Sequence, residues 1–408
     1  MGIRFSGLPE LFESPALSDS FESPTLSRMR CIPPPYIFLL TPPTWVIEWA
    51  ILGWSLLAVG VPLLWFGWSR RRSAAGKILM NLGFLLAFAG AVEVGYWATR
   101  PSELERRPPS YQAYIVDDPD LGYTALAGAR ASVELWDGST QVYGTEYVFD
   151  EFGTRRVPAV DGASPTGSLL CFGGSFMMGE GLAEDETLPA RLQAELGGRL
   201  RVINFGLHGQ GAHQMLARCR SGRIEAMPIP PPKAALYWAI PDHIVRAAGL
   251  RSWDKAGPLY ESDHGGRVKE VGTFADLPGH PLPAPGTTGL ASISWIRRRT
   301  MRTQPKTTSM DLERWAGIVA TAQDEVHERF PGCSFHVLLD DPQARLADTM
   351  QDALRKRGIE ALRVSQFLDG YRGDPKPWRM HAKDVHPTAK ATEILAAGLV
   401  PRIKSSSH

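Results

Sequence analysis

The chain has only four cysteines in 408 residues, Cys31, Cys171, Cys219 and Cys333, with no Cys-x-x-Cys pair and no histidine at metal-ligand spacing beside them. That pattern offers neither a zinc module nor a disulfide scaffold. Charge of one sign is also missing: 44 basic against 43 acidic residues leave a formal net charge of +1. No overall field therefore recruits nucleic acid or an anionic surface, and function has to come from local features. The nucleophile elbow G-x-S-x-G is absent too, because in Gly-Gly-Ser-Phe-Met (173–177) Met177 stands where its last glycine would be. Residues 1–43 lack hydrophobic periodicity, are rich in Pro and Ser, and carry the near-duplicate FESPALS and FESPTLS. They read as a disordered tail, with Met29 a second candidate start.

Two long hydrophobic runs follow. Trp49 to Trp68 contains no charged residue, and Ile78 to Ala98 contains one acid, Glu93. Each matches the roughly 20 residues that a helix needs to cross a bilayer. Core helices of that length normally keep a polar face, and a cleaved signal peptide would be shorter and end in small residues. Residues 44–100 are thus expected to form a transmembrane hairpin, with Trp45, Trp49, Trp65, Trp68, Tyr96 and Trp97 at the interfaces. Arg70, Arg71, Arg72 and Lys77 lie between the runs, so the positive-inside rule puts that loop in the cytoplasm. The C-terminal domain then faces the periplasm or the exterior of a multi-pass membrane protein.

From Pro101 to Gly167 the chain turns polar, with alternating β-branched and aromatic residues between Gly and Asp, as in a small β-rich lead-in. From Ser168 to about Lys404 apolar strands alternate with amphipathic helices, the pattern of a three-layer α/β/α domain on a parallel sheet. The strand candidates are SLLCFG, LRVINFG, AALYWAI, SFHVLLD and EALRV. Helices are expected at 188–196, 214–220, 311–329, 343–357 and 388–402. One stretch breaks the alternation, Gly249 to Thr308, dense in Gly and Pro and carrying Arg297, Arg298 and Arg299. It reads either as a substrate-facing flap or as a surface insertion.

The chemistry concentrates in two places. In CFGGSFMMGEGL (171–182) an apolar strand runs into a Gly-Gly-Ser turn, so Ser175 falls at the carboxyl end of the first strand, where open α/β sheets bind ligands. Its plainer use would be as a helix cap. Near the C-terminus, KDVHPTAKATEILA sets Asp384 two residues before His386 on an extended segment. An acid there can orient the imidazole and stabilise its cation while the ring deprotonates a serine.

Order and context of these residues resemble the SGNH (GDSL) hydrolase superfamily, over about Asp117 to Pro401, in its membrane-anchored bacterial form. Gly-Gly-Ser-Phe (173–176) with GEGLAEDETLPARL is similar to the first block, in which Gly-Asp-Ser is commoner. VINFGLHGQG is similar to the glycine block and DVHPTAKATEILA to the last, while DPDLGY and DEFGTRR resemble lead-in elements. The resemblance implies a flavodoxin-like SGNH domain and a triad of Ser175, His386 and Asp384. It also implies an oxyanion hole from the Ser175 and Gly209 amides and an acyl-ester substrate. Membrane anchoring and an outward-facing domain fit an ester of a cell-surface glycan or lipid, and no cofactor or metal is expected, since the triad supplies both nucleophile and base.

The third block departs from that pattern. Its Gly-x-Asn-Asp supplies a side-chain oxyanion donor, but this chain reads Ala239-Ile240-Pro241-Asp242, and proline offers no N–H. His208, His213 and His243 are the nearby candidates to fill the gap, and Asp242 is expected to cap a helix. The same residues would serve an O-acyltransferase of a surface polysaccharide, and the lost asparagine leaves room for a non-catalytic anchored binding protein.

Overall fold

The computed structural model describes residues 45–99, 104–107, 113–262, 266–277 and 307–405. The Pro/Ser-rich tail, Cys31 and the basic run Arg297–Arg299 lie outside them. Helices α1 (Trp45–Ser69) and α2 (Ala74–Thr99) form a hairpin, and both are long and apolar enough to cross a membrane. Gly53, Gly60 and Gly67 on α1, and Gly76, Gly83 and Gly90 on α2, recur every seventh residue. A Cβ on Gly60 would overlap the backbone nitrogen of Ala87, and one on Gly83 the backbone nitrogen of Leu64. The glycines therefore set the distance of approach, since bulkier residues at these points would hold the backbones apart. The outward faces carry Trp54, Trp65, Phe84 and Phe88, all exposed, while Glu93 is buried between the helices.

Five parallel strands build the central sheet in the order β12–β11–β8–β6–β7. They are β6 (Gly167–Gly173), β7 (Leu200–Asn204), β8 (Pro232–Ala239), β11 (Ser334–Leu339) and β12 (Leu362–Arg363). All seven residues of β6 are buried, because a sheet covered on both faces needs apolar residues on both. Successive residues alternate sides: Leu170, Phe172 and Tyr237 pack with α5 (Ala212–Arg220), α6 (Asp242–Ala247), α7 (Ser309–Arg329) and α8 (Ala344–Arg355). Leu169, Cys171 and Trp238 pack with α3 (Ser175–Met178), α4 (Leu188–Glu195) and α9 (Ala389–Ser405). This is the three-layer α/β/α fold expected. Chain order reverses between β6 and β8, which puts the switch point at the carboxyl end of β6.

The lead-in adds a hairpin, β2 (Ile115–Asp118) with β3 (Gly122–Ala125). It also adds a three-stranded antiparallel sheet of β1 (Leu104–Arg107), β4 (Arg130–Asp137) and β5 (Thr140–Val148). Its core, with Tyr114, Leu135 and Tyr147, includes Met178 and Leu207 from the α/β domain, so the two share one interior. Within the expected insert 249–308, residues 249–262 and 266–277 are described and carry regular structure. Strands β9 (Pro258–Ser262) and β10 (Val268–Thr273) pair antiparallel, and Tyr260, Val268 and Phe274 are buried. The Gly and Pro content hid two short strands that cover α5 and α7.

The glycine contacts of the hairpin are testable. A Cβ on Gly53 would stand 3.2 Å from Val94 Cγ2, so cysteines placed at 53 and 94 should cross-link on mild oxidation. Gly83→Leu in that background should abolish the cross-link, and a cross-link that persists would show that the helices approach without the glycines.

Candidate active site

Ser175 opens α3 directly after β6, and the Gly-Gly pair before it lets the strand turn under its neighbours. Gly174 has a φ of −91° with a ψ of −146°, outside the helical and extended regions, and the space around it is tight as well. A Cβ there would lie 2.7 Å from Arg246 Nη1, 2.8 Å from the Gln210 carbonyl oxygen and 3.1 Å from His243 Nε2. The seat that a Gly-Asp-Ser aspartate would take is filled by α6 and by the loop after β7. Backbone and space together are the physical reason for glycine at this position.

His386 reaches Ser175 from the opposite edge. Strand β13 (Arg379–His381) pairs with β14 (Asp384–Pro387), and β14 delivers Asp384 and His386 on one side of the strand. His386 Nε2 is 2.8 Å from Ser175 Oγ, and His386 Nδ1 is 2.5 Å from Asp384 Oδ1. The same oxygen accepts the His386 backbone N–H at 3.0 Å, so the single-residue spacer closes a local turn that fixes ring and carboxylate together. Burial opposes ionisation of Asp384, but the hydrogen bonds from His386 and the charge of Arg106 outweigh it and hold the carboxyl below the usual carboxylate range. Ser175 is 6% exposed, so the residue is nearly removed from solvent. Phe176 packs beside it, 5.3 Å from the His386 ring and edge-on to Trp238.

Gly209 lies on the loop between β7 and α5 with a φ of +71°, a conformation that favours glycine. Neither its amide nor that of Ser175 donates to another of the described residues. The loop is braced at Gln210, whose carbonyl accepts from Arg246 Nη1 at 2.7 Å and whose side chain donates to the Tyr123 carbonyl at 2.9 Å.

Each of the three histidines weighed for the third donor spends one ring nitrogen elsewhere, while His243 Nε2 and His213 Nδ1 have no hydrogen-bond partner among the described residues. His243 is fully buried, with Nδ1 2.6 Å from the Tyr237 hydroxyl. Burial, then the charge of Arg246, holds it well below the usual histidine range, so the ring is neutral. His213 is held by Asp254 at 2.7 Å, and His208 Nδ1 meets Glu180 Oε2 at 2.7 Å. Burial also pushes His208 far down, with help from Arg106 and His386, so it is neutral and donates to that carboxylate. Asp242 does not cap α6, whose N-cap is Pro241; its carboxylate joins Arg246 at 2.7 Å and also pairs with Arg251.

Sequence reasoning passed over Arg155, Glu180 and Arg106. Arg155 is 1% exposed, and its guanidinium donates to the carbonyls of Met178 at 2.8 Å, Gly179 at 2.5 Å and Leu182 at 2.7 Å. Glu180, 3% exposed, pairs with Arg106 of β1. The available signal was a lone acid between glycines in an otherwise apolar run, FMMGEGL. Nothing local pointed to Arg106, 74 residues earlier.

The packing around Gly174 predicts that one added methyl group is costly. Gly174→Ala should lower stability by about 1–3 kcal/mol, the usual cost of overpacking, read from denaturant unfolding. An unchanged midpoint would show that Arg246 and the Gln210 carbonyl swing aside freely.

No family model and no curated protein matches the chain. Among solved structures it is similar to a carbohydrate acetylesterase family member from Sinorhizobium meliloti, at 14% identity over 59% of this chain and 99% of that one, with a TM-score of 0.31. It is similar to the SGNH-hydrolase family esterase AlinE4, at 17% identity over 60% and 97%, with a TM-score of 0.29. A variant of the acetyl xylan esterase Axe2 from Geobacillus stearothermophilus aligns at 14% identity over 59% and 96%, with a TM-score of 0.31. At these scores the fold assignment rests on the strand order and helix layers themselves, and the chemistry on this chain's own side chains.

Proposed function

We propose that the chain is a membrane-anchored serine ester hydrolase of SGNH/GDSL type, with Ser175 as nucleophile, His386 as general base and Asp384 orienting the ring. The observation that carries the reading is the continuous contact from Ser175 Oγ through His386 to Asp384, 2.8 Å and then 2.5 Å, at the switch point of the sheet. Ser175 Oγ attacks the ester carbonyl as its proton passes to His386 Nε2. The imidazolium is stabilised by Asp384 and hands the proton to the departing alcohol oxygen, leaving an acyl-enzyme. Water then attacks, gives its proton to Nε2, and Ser175 is restored as the acid leaves.

The tetrahedral oxyanion is assigned to the Ser175 and Gly209 amides. Loss of one donor typically costs about 10²–10³ in turnover, so a site built on two amides works at reduced rate. A sugar hydroxyl in place of water would make the same residues an O-acyltransferase, which acceptor access decides. The two apolar helices and the basic turn between them support two membrane crossings with the α/β domain outside. An outward-facing anchored domain fits substrates among surface glycans, lipids or secreted esters.

For the purified full-length protein in detergent, p-nitrophenyl acetate and longer acyl esters should be hydrolysed, and a fluorophosphonate probe should label the chain. Ser175→Ala should remove both activities and leave the fold intact; turnover that survives in this variant rejects the mechanism. For orientation, alkaline phosphatase fused at the C-terminus should be active. An inactive phosphatase alongside a working cytoplasmic reporter reverses the topology.

A further inference from the structure

A second carboxylate faces the ring nitrogen that exchanges the proton. Glu180 Oε2 lies 3.2 Å from His386 Nε2 without the alignment of a hydrogen bond, beside the atom that meets Ser175 Oγ at 2.8 Å. Asp384 occupies the other ring nitrogen, so the imidazole stands between two acids. The chain places Glu180 there deliberately. Its backbone N–H donates to the Ser175 carbonyl at 3.0 Å, directly below the nucleophile. It is flanked by Gly179 and Gly181, with φ of +81° and +80°. A Cβ on Gly181 would meet the Tyr143 ring at 2.8 Å, so only a glycine pair lets the chain make this turn against the lead-in.

The groups facing Glu180 come from three further elements. His208 donates to Oε2 from the β7–α5 loop, Arg106 pairs with Oε1 from β1, and the Tyr143 hydroxyl of β5 is 3.4 Å from Oε1. Arg106 also donates to that hydroxyl at 3.1 Å. A carboxylate so buried stays ionised only with a cation beside it, because an uncompensated buried charge is strongly destabilising. Arg106 supplies the cation.

We propose that Glu180 is a fourth catalytic side chain, the acceptor that holds the His386 Nε2 proton in place once Ser175 Oγ has bonded to the acyl carbon, with Arg106 as its positioning residue. The inference rests on the serine-triad reading above. When Oγ turns toward the carbonyl carbon it becomes a poor acceptor, and the imidazolium N–H would lose its partner. Glu180 takes that hydrogen bond and keeps the ring in register. It never takes the proton, which stays on Nε2 until the C–O bond to the leaving group breaks and the departing oxygen receives it. In the second half, the attacking hydroxyl yields its proton to Nε2 as its oxygen bonds to the acyl carbon. Nε2 returns that proton to Oγ as the Oγ–C bond breaks, so Glu180 begins and ends ionised. Strand β1 begins five residues after α2 ends at Thr99, so the segment next to the apolar hairpin contributes to the site.

Glu180→Gln in the full-length protein keeps the shape and removes the charge. It should lower kcat about 10–100-fold, the range for one hydrogen bond to a charged group, with KM within about twofold. Arg106→Met should lower kcat similarly, and the double variant should lose clearly less than the product of the two single losses, because Arg106 acts mainly through Glu180 and only secondarily through its charge on Asp384. A brace that merely holds the lead-in would instead lower the unfolding midpoint and leave kcat untouched. Wild-type kcat in Glu180→Gln, or additive losses in the double variant, overturns the proposal. Should Glu180→Gln fail to fold, Glu180→Asp keeps the charge but withdraws it by one methylene, and a parental kcat there overturns the proposal equally. Fluorophosphonate labelling of the parent separates the two ideas: no labelling defeats the triad reading and this inference with it. Labelling of the parent together with a parental kcat in Glu180→Gln defeats Glu180 alone.

Discussion

The buried guanidinium of Arg155 joins the lead-in to the turn that follows Ser175. Three carbonyls between Met178 and Leu182 accept from it, each sharing it with a second donor: Asn204 Nδ2 on Met178, the Leu182 N–H on Gly179 and the Thr145 hydroxyl on Leu182. Hydrogen bonds to a charged group are worth about 1.5–3 kcal/mol each, enough to hold a glycine-flanked turn that has little side-chain packing of its own. The turn in question carries Glu180 and follows Ser175 directly. Arg155 lies under the Tyr147 ring, 4.5 Å from its centroid, and the Tyr147 hydroxyl accepts the Gly181 N–H at 2.8 Å. Lead-in and α/β domain are therefore one unit around this point.

The same dependence appears on the other side of the site. Strand β14 is two-stranded only with β13, a pairing that is marginal alone. It is tied to the lead-in through Lys383, which meets Asp137 Oδ2 at 2.8 Å, and to the turn at Gly181 through Met380. At its far end, α9 is anchored by the Thr392 hydroxyl donating to the Glu186 carbonyl at 2.6 Å. The histidine and the serine come from distant parts of the chain, and their separation of 2.8 Å is set by contacts that neither makes itself.

The buried cations of the site are met either by a carboxylate or by backbone carbonyls. The chain has almost no net charge, yet within the site Arg106, Arg155 and Arg246 are nearly removed from water, each aimed at a carboxylate or at backbone carbonyls. Such arrangements specify geometry more than they add stability, since desolvation offsets much of the attraction. They suit a region in which the positions of a few oxygens and nitrogens must be fixed within fractions of an ångström.

The sequence alone determined the layers. Continuous apolar runs such as SLLCFG and AALYWAI cannot be half-exposed strands, and with amphipathic helices between them they require a covered parallel sheet. It also marked Ser175, Asp384 and His386, because a Gly-Gly-Ser turn at a strand end and an acid two residues before a histidine are local patterns. The hairpin β9–β10 was not legible, since its short strands bury Tyr260 and Val268 against helices that are adjacent only in space. Nor were the partners of Glu180 and Gly174. Arg106 and Arg155 reach the turn after Ser175, and Arg246 the glycine before it, across 74, 23 and 72 positions of chain. Contacts over such separations leave no periodic trace. Only the tertiary structure, by closing the lead-in onto the carboxyl end of β6, decided which charges meet there.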